Sequence, residues 1–140
     1  MKLLLDTNVV SEWVRPRPDP GVARFLAELD EDRAFLSVVT IAELRFGIER
    51  LKPGARRSRL QQWVTVELAE RFAGRVLGVD VALAELWGVV LARGRTLGRP
   101  LSALGALIAA TASAHALTIV TRNVADFQPL GLSLHNPWKR

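Results

Sequence analysis

Lys2-Leu3-Leu4-Leu5-Asp6-Thr7-Asn8 stands at the head of the chain. A short apolar run stops abruptly at a carboxylate and two small polar residues. Such a run reads as a buried strand of a parallel sheet, apolar on both faces. The acid then falls at the strand's C-terminal end, where open α/β sheets bind ligands and metals. Two further apolar runs lead toward acids: Phe35 to Ile41 precedes Glu43, and Leu117 to Thr121 precedes Asp126. Three strand ends that each deliver a carboxylate suggest one shared metal site.

Working outward, residues 2–5 form the first strand. Asp19-Pro20 starts a helix: Asp accepts from free amides as the N-cap, and proline lacks the amide that would go unpaired at the first helical position. That helix runs to about Leu29, ahead of the acidic Asp30-Glu31-Asp32. Ala34 to Val38 reads as the second strand. Thr40-Ile41-Ala42-Glu43 has the form of a capping box, which predicts a helix beginning there and ending near Lys52-Pro53-Gly54. Another helix covers Arg56 to Phe72, and Arg75 to Val79 reads as a third strand. Asp80 caps a helix to about Arg95, Gly94 to Pro100 reads as a loop, and Ser102 caps a helix ending near His115. Leu117 to Thr121 is the fourth strand, and Leu132 to Leu134 a last one. Strands alternating with helices predict an α/β fold, a mostly parallel sheet covered on both faces. No repeat or linker interrupts the pattern, so residues 1–140 read as one domain.

Composition narrows the class. Hydrophobic residues make up 49% and charged residues 24%, a globular balance. Cysteine is absent, which excludes disulfides and thiolate metal sites and fits a reducing cytosol. Leu3-Leu4-Leu5 is too short for a signal-peptide core, and Ala103 to Ala114 is too short to span a bilayer. The reading is a cytoplasmic protein without a membrane segment.

Net charge is +5. That excess attracts polyanions, although it also serves solubility alone. Arg45, Arg50, Lys52, Arg56, Arg57 and Arg59 form one basic cluster, and Arg93, Arg95 and Arg99 a second. Guanidinium forks match phosphate oxygens, so either cluster suits RNA near the acids. The same charges suit acidic groups of a protein partner, or a favourable helix C-terminus. Trp13, Trp63, Trp87 and Trp138 read as core or interface residues. Leu60, Trp63, Val64 and Leu68 recur at helical spacing, which fits core packing, a groove for a partner helix or a dimer face.

Carboxylates supply both oxygen ligands and charge balance for hard divalent ions. Each acid also has a plainer use. Asp6 could cap the next helix, Glu43 could complete a capping box, and Asp126 could be a loop carboxylate. Thr7, Asn8, Thr121 and Asn123 are placed to orient the acids by hydrogen bonds, or to form turns. Phosphate-binding and dinucleotide-binding glycine loops are absent, and Asn8 stands where a phosphoryl-aspartate hydrolase would need a second Asp.

At these residues the chain resembles the PIN-domain ribonucleases, and within them the VapC-type toxins of toxin–antitoxin pairs. The matching pieces are residues 4–12 (Leu4 to Glu12), 37–47 (Ser37 to Gly47), 106–112 (Ala106 to Ala112) and 120–127 (Val120 to Phe127). Asn136-Pro137-Trp138 also resembles the trafficking-protein-B branch. The resemblance implies a three-layer α/β/α sandwich with a four- or five-stranded sheet. It implies a cytoplasmic, usually dimeric endoribonuclease using Mg²⁺ or Mn²⁺. It also implies a cognate antitoxin that holds the toxin inactive and itself contacts operator DNA. Carried over, Asp6 and Glu43 match the family's acids, and Asp126 and Asn123 share the segment that supplies the last one, the closer of the two to the metal varying among relatives. The expected site therefore has Asp6, Glu43 and Asp126 as catalytic, metal-binding acids, with Thr7, Asn8, Thr121 and Asn123 as supporting residues and, from their charge, Arg93, Arg95 and Arg99 as RNA contacts.

One position departs from the pattern. The family carries an Asp metal ligand directly before the Ala106-Leu107-Ile108 run, where this chain has Gly105. Glycine offers no side-chain ligand and suits a helix poorly, by up to about 1 kcal/mol against alanine. Three readings follow. This copy is an inactivated form of a chain with Asp there; or the site has decayed, leaving a non-catalytic module for antitoxin or RNA; or a water, Asp126, Asn123 or Ser102 replaces the ligand.

Overall fold

A computed structural model describes residues 1–138. Five strands form one sheet: β1 (Leu3–Leu5), β2 (Ala34–Ser37), β3 (Val76–Leu77), β4 (Thr118–Val120) and β5 (Leu134–His135). All neighbours are parallel, in the order β3-β2-β1-β4-β5. The central strand is therefore the one that opens the sequence. Leu3 pairs with Ala34 on one side and Thr118 on the other.

Side chains of a strand alternate between the two faces. Leu3 and Leu5 enter one apolar cluster with Ala34, Leu36 and Val120. Leu4 and Ile119 enter the other. Helices cover both faces, giving three layers. The short α1 (Thr7–Val10), α2 (Pro20–Ala27) and most of α3 (Val38–Glu49) cover the first. With them lie α4 (Ala55–Gln62), its wide π-helical continuation Trp63–Leu68, and α5 (Ala69–Arg71). The second face is covered by α6 (Val81–Thr96), α7 (Ala103–His115) and the short α8 (Val124–Phe127).

The capping residues read from the sequence set the helix starts. Asp19 Oδ2 accepts from the Gly21 and Val22 amides at 2.9 and 3.1 Å. Asp80 Oδ1 accepts from Leu83 at 2.8 Å, and Ser102 Oγ from Gly105 at 3.0 Å. The tryptophans are structural. Trp13 packs on Phe72 with ring centroids 5.9 Å apart, and Trp87 Nε1 donates to the Ala103 carbonyl at 2.8 Å, tying α6 to α7.

Several boundaries differ from the sequence reading: β3 spans only Val76–Leu77, β5 lies at Leu134–His135 rather than 132–134, and two helix ends move. Thr40 does not open α3: the helix starts at Val38, because Ser37 at the end of β2 caps it and accepts from the Val39 amide at 3.1 Å. Gly94 does not open a loop: α6 continues to Thr96. The loop beyond folds back on it, with the Arg99 amide donating to the Gly94 carbonyl at 2.9 Å. A Cβ at Gly94 would meet the Arg99 carbonyl at 3.2 Å, so glycine permits this close approach. No helix among the described residues is long and apolar enough to cross a membrane.

Candidate active site

From β1 the sheet grows to β2 on one side, and from β4 to β5 on the other. The C-terminal ends of β1 and β4 thus mark the switch point where such sheets leave a crevice. Asp6 is the first residue beyond β1. Its Oδ1 accepts from the Thr7 amide at 2.8 Å, capping α1, and its own amide donates to the Val120 carbonyl at 3.0 Å. Register pairs Leu5 with Val120, so the residues that follow each strand also meet. Thr121 Oγ1 accordingly donates to Asp6 Oδ2 at 2.9 Å.

Thr121 is fully buried and its hydroxyl is a hub. Besides donating to Asp6, it accepts from the Asn123 amide at 3.0 Å and from Asn8 Nδ2 at 3.5 Å. Asn8 Oδ1 in turn accepts from the Arg122 amide at 3.4 Å. The loop after β4 is thereby tied to the loop after β1.

Glu43 arrives from the second turn of α3. Because Ser37 starts that helix, Glu43 is no capping-box residue. Its Oε1 accepts from the Thr7 hydroxyl at 2.6 Å, and Thr40 Oγ1 lies 3.1 Å from that same hydroxyl. Asp126 sits in the first turn of α8, its amide donating to the Asn123 carbonyl at 3.1 Å.

Asp6, Glu43, Asn123 and Asp126 open into one pocket of about 140 Å³, and Ser102 and Gly105 form part of its wall. The three residues named as replacement ligands, Asp126, Asn123 and Ser102, therefore all face the gap at Gly105. Gly105 does not have a positive φ, so its backbone accepts any residue. A Cβ there would stand 2.9 Å from Ser102 Oγ and 3.9 Å from Leu101 Cδ2. Only a side-chain hydroxyl has to give way, and no backbone contact demands glycine.

The Asp6 carboxyl is pushed above its ordinary range, chiefly by burial. Hydrogen bonds from Thr121 and Thr7 oppose that shift, and the negative charges of Glu43 and Asp126 add to it. Among the described residues no Lys or Arg forms an ion pair with any of the three acids. An all-oxygen donor set with uncompensated negative charge fits a hard divalent cation in kind. Among the described residues the acids do not close into a ready-made group of three ligands. At position 105 the wall itself offers no side-chain donor.

Arg99 lines an adjoining pocket of about 280 Å³ that shares Ser102, Gly105 and Asp126 with the acid pocket. Arg93 and Arg95 stay exposed on the last turn of α6, where cations also suit the helix dipole. In the other cluster, Arg45 and Arg57 contact Glu49 at 3.3 and 3.0 Å. The Arg57 hydrogen bond is the main cause that holds the Glu49 carboxyl below its usual range.

An apolar groove of about 320 Å³ runs from Thr7 and Glu43 past Gly47 to Arg56, Leu60 and Trp63. The sequence reading did not place this groove. Its walls come from α1, α3 and α4, and only the stripe at Leu60 and Trp63 hinted at it. Val64 and Leu68, from the same stripe, are buried in the core.

Only Asp6 stands directly at a strand end; Glu43 and Asp126 come from the helices that follow β2 and β4. Parallel α/β/α layers with three acids opening into one pocket beyond β1 and β4 define a PIN-type protein. Residues 3–128 match the PIN domain, and the chain belongs to that family. Toxin FitB of Neisseria gonorrhoeae is 36% identical over 136 residues, covering 97% of this chain and 98% of FitB. VapC ribonuclease Y4jK of Sinorhizobium fredii is 35% identical over 137 residues, covering 98% of each. In the solved structure of FitAB bound to an IR36 DNA fragment, one chain superposes with a TM-score of 0.94 at 34% identity. That match covers 99% of this chain and 96% of the other. Nucleases of this family generally depend on a divalent metal ion.

Proposed function

We propose that this chain is a ribonuclease-type toxin of a toxin–antitoxin pair, with Asp6, Glu43 and Asp126 as its catalytic acids and metal ligands. The observation that carries the reading is three carboxylates from distant segments opening into one pocket with no ion-paired cation among the described residues. When bound, an ion such as Mg²⁺ or Mn²⁺ neutralises phosphate charge and lowers the pKa of an attacking water. The protein's part is positioning. Thr121 and the Thr7 amide fix the two oxygens of Asp6, and the Thr7 hydroxyl fixes Glu43. Asn8 and Asn123 brace Thr121. Arg99, with Arg93 and Arg95 further out, draws RNA phosphate toward the acids.

The relatives suggest the partners. The FitAB complex bound to DNA supports an antitoxin that carries the operator contact. The apolar groove beside Glu43 suits a segment of that antitoxin. A homodimer acting on RNA in the cytoplasm completes the reading. Gly105 favours a second reading, a PIN-fold module that binds antitoxin or RNA without cutting. RNA incubated with Gly105→Asp and Mg²⁺ or Mn²⁺ tests the first. Cutting that stops with chelator and with a further Glu43→Gln supports it, whereas intact RNA with folded Gly105→Asp and either ion leaves the binding module.

A further inference from the structure

Phe46 lies one helical turn beyond Glu43 on α3, and 65% of it is exposed. Singly exposed apolar residues are ordinary. This one is distinguished by its neighbour: the Arg50 guanidinium stands 5.6 Å from the centroid of its ring. Arg50 forms no ion pair among the described residues, whereas Arg45 and Arg57 both engage Glu49. The cation over the ring is thus uncompensated, and the ring keeps most of its surface open.

Helix geometry fixes the order. Residues 43, 46 and 50 fall on one stripe, at i, i+3 and i+7. Glu43 opens on the acid pocket. A strand held by its phosphate at the acids and running along α3 meets first an aromatic ring and then a free cation.

We propose that Phe46 stacks a base of single-stranded RNA next to the bound phosphate, and that Arg50 contacts a neighbouring phosphate. This rests on the ribonuclease reading above and names a contact for its substrate. Every base has a π-face, so an exposed ring grips single strands without demanding a sequence. Guanidinium suits both ring and phosphate. A protein partner fits less well, because interface cores are depleted of charge and need contiguous apolar area. The exposed neighbours of Phe46 on α3 include Glu43, Arg45, Glu49 and Arg50.

The test is fluorescence anisotropy with a labelled single-stranded RNA and an abasic oligonucleotide of equal length, with Mg²⁺ present to seat the phosphate beside the acids and a gel to show each strand uncut. Phe46→Ala weakens the RNA by roughly 5- to 150-fold and leaves the abasic strand unchanged. Phe46→Trp restores the RNA. Arg50→Gln weakens both strands and lowers the salt dependence by about one phosphate contact. Equal effects of Phe46→Ala on both strands, or none, would overturn the proposal. So would a change in oligomeric state with unchanged RNA affinity, which would assign the ring to a second copy of the chain. If the unsubstituted protein binds neither strand, the ribonuclease reading itself fails. If it binds RNA but Phe46 is indifferent, only the stacking contact fails.

Discussion

A half-buried carboxylate with two acids beside it and no paired cation among the described residues carries a pH signature. Asp6 has its pKa raised in the fold, so the folded chain binds its proton more tightly than the unfolded chain. Stability therefore falls as pH rises from the unfolded value, about 4, through the raised folded value, and stays level above it. In chelator, denaturant midpoints of the unsubstituted chain should fall across that window relative to Asp6→Asn, which has nothing to titrate there. Parallel profiles would remove the electrostatic argument. Thr121 offers a second check. Thr121→Val keeps shape but deletes the hydrogen bond to Asp6, and a lost supporting contact lowers metal affinity by about 10- to 100-fold. Thr118→Val is the control, because its hydroxyl pairs with Ser133 at 2.8 Å, away from the acids. Calorimetric titration with Mn²⁺ should separate the two variants. At this scale the sequence offered the three acids and the polar residues near them as candidates by type, since few residues can hold a hard cation. It did not show that one buried hydroxyl serves Asp6, Asn8 and Asn123 together, because that depends on strand register.

Helix starts were legible where a cap side chain and the first turn agree, as at Asp19, Asp80 and Ser102. They were misread where two caps compete. Ser37 and Thr40 are both fit to begin α3, and the strand ending at Ser37 decides for the earlier one. The short helices α1 and α8 carry too few residues for a periodic signal, yet they position Asp6 and Asp126. Glycines show the same limit. Gly94 and Gly88 both lie inside α6, but only at Gly94 does another backbone approach, with the Leu101 amide nitrogen also 3.5 Å from where a Cβ would stand. Nothing lies within 4 Å of a Cβ at Gly88, which is exposed. Gly88→Ala should raise stability by about 0.5–1 kcal/mol. Gly94→Ala should lower it, because the carbonyl at 3.2 Å belongs to backbone that is itself hydrogen-bonded to Gly94. Thermal melting of the two variants reads out both signs, and equal gains would contradict the close-packing account.

At the scale of the molecule, alternation of strand and helix was enough to read a parallel sheet covered on both faces. Strand order was not in the pattern. It follows from pairing between Leu3, Ala34 and Thr118, which are far apart in sequence. That order brings the three acids to one pocket and puts Gly105 in its wall. The apolar groove beside Glu43 was equally hidden, because it forms between helices rather than within one. The central claim is that this fold presents a nuclease site with one donor missing. The most direct test is RNA cleavage by this chain and by Gly105→Asp, side by side, with Mg²⁺ or Mn²⁺ and with chelator. The account predicts metal-dependent cutting that is strong for Gly105→Asp and weak or undetectable for the unsubstituted chain. Equal cutting by both would show that Asp6, Glu43 and Asp126 suffice, and would contradict the claim.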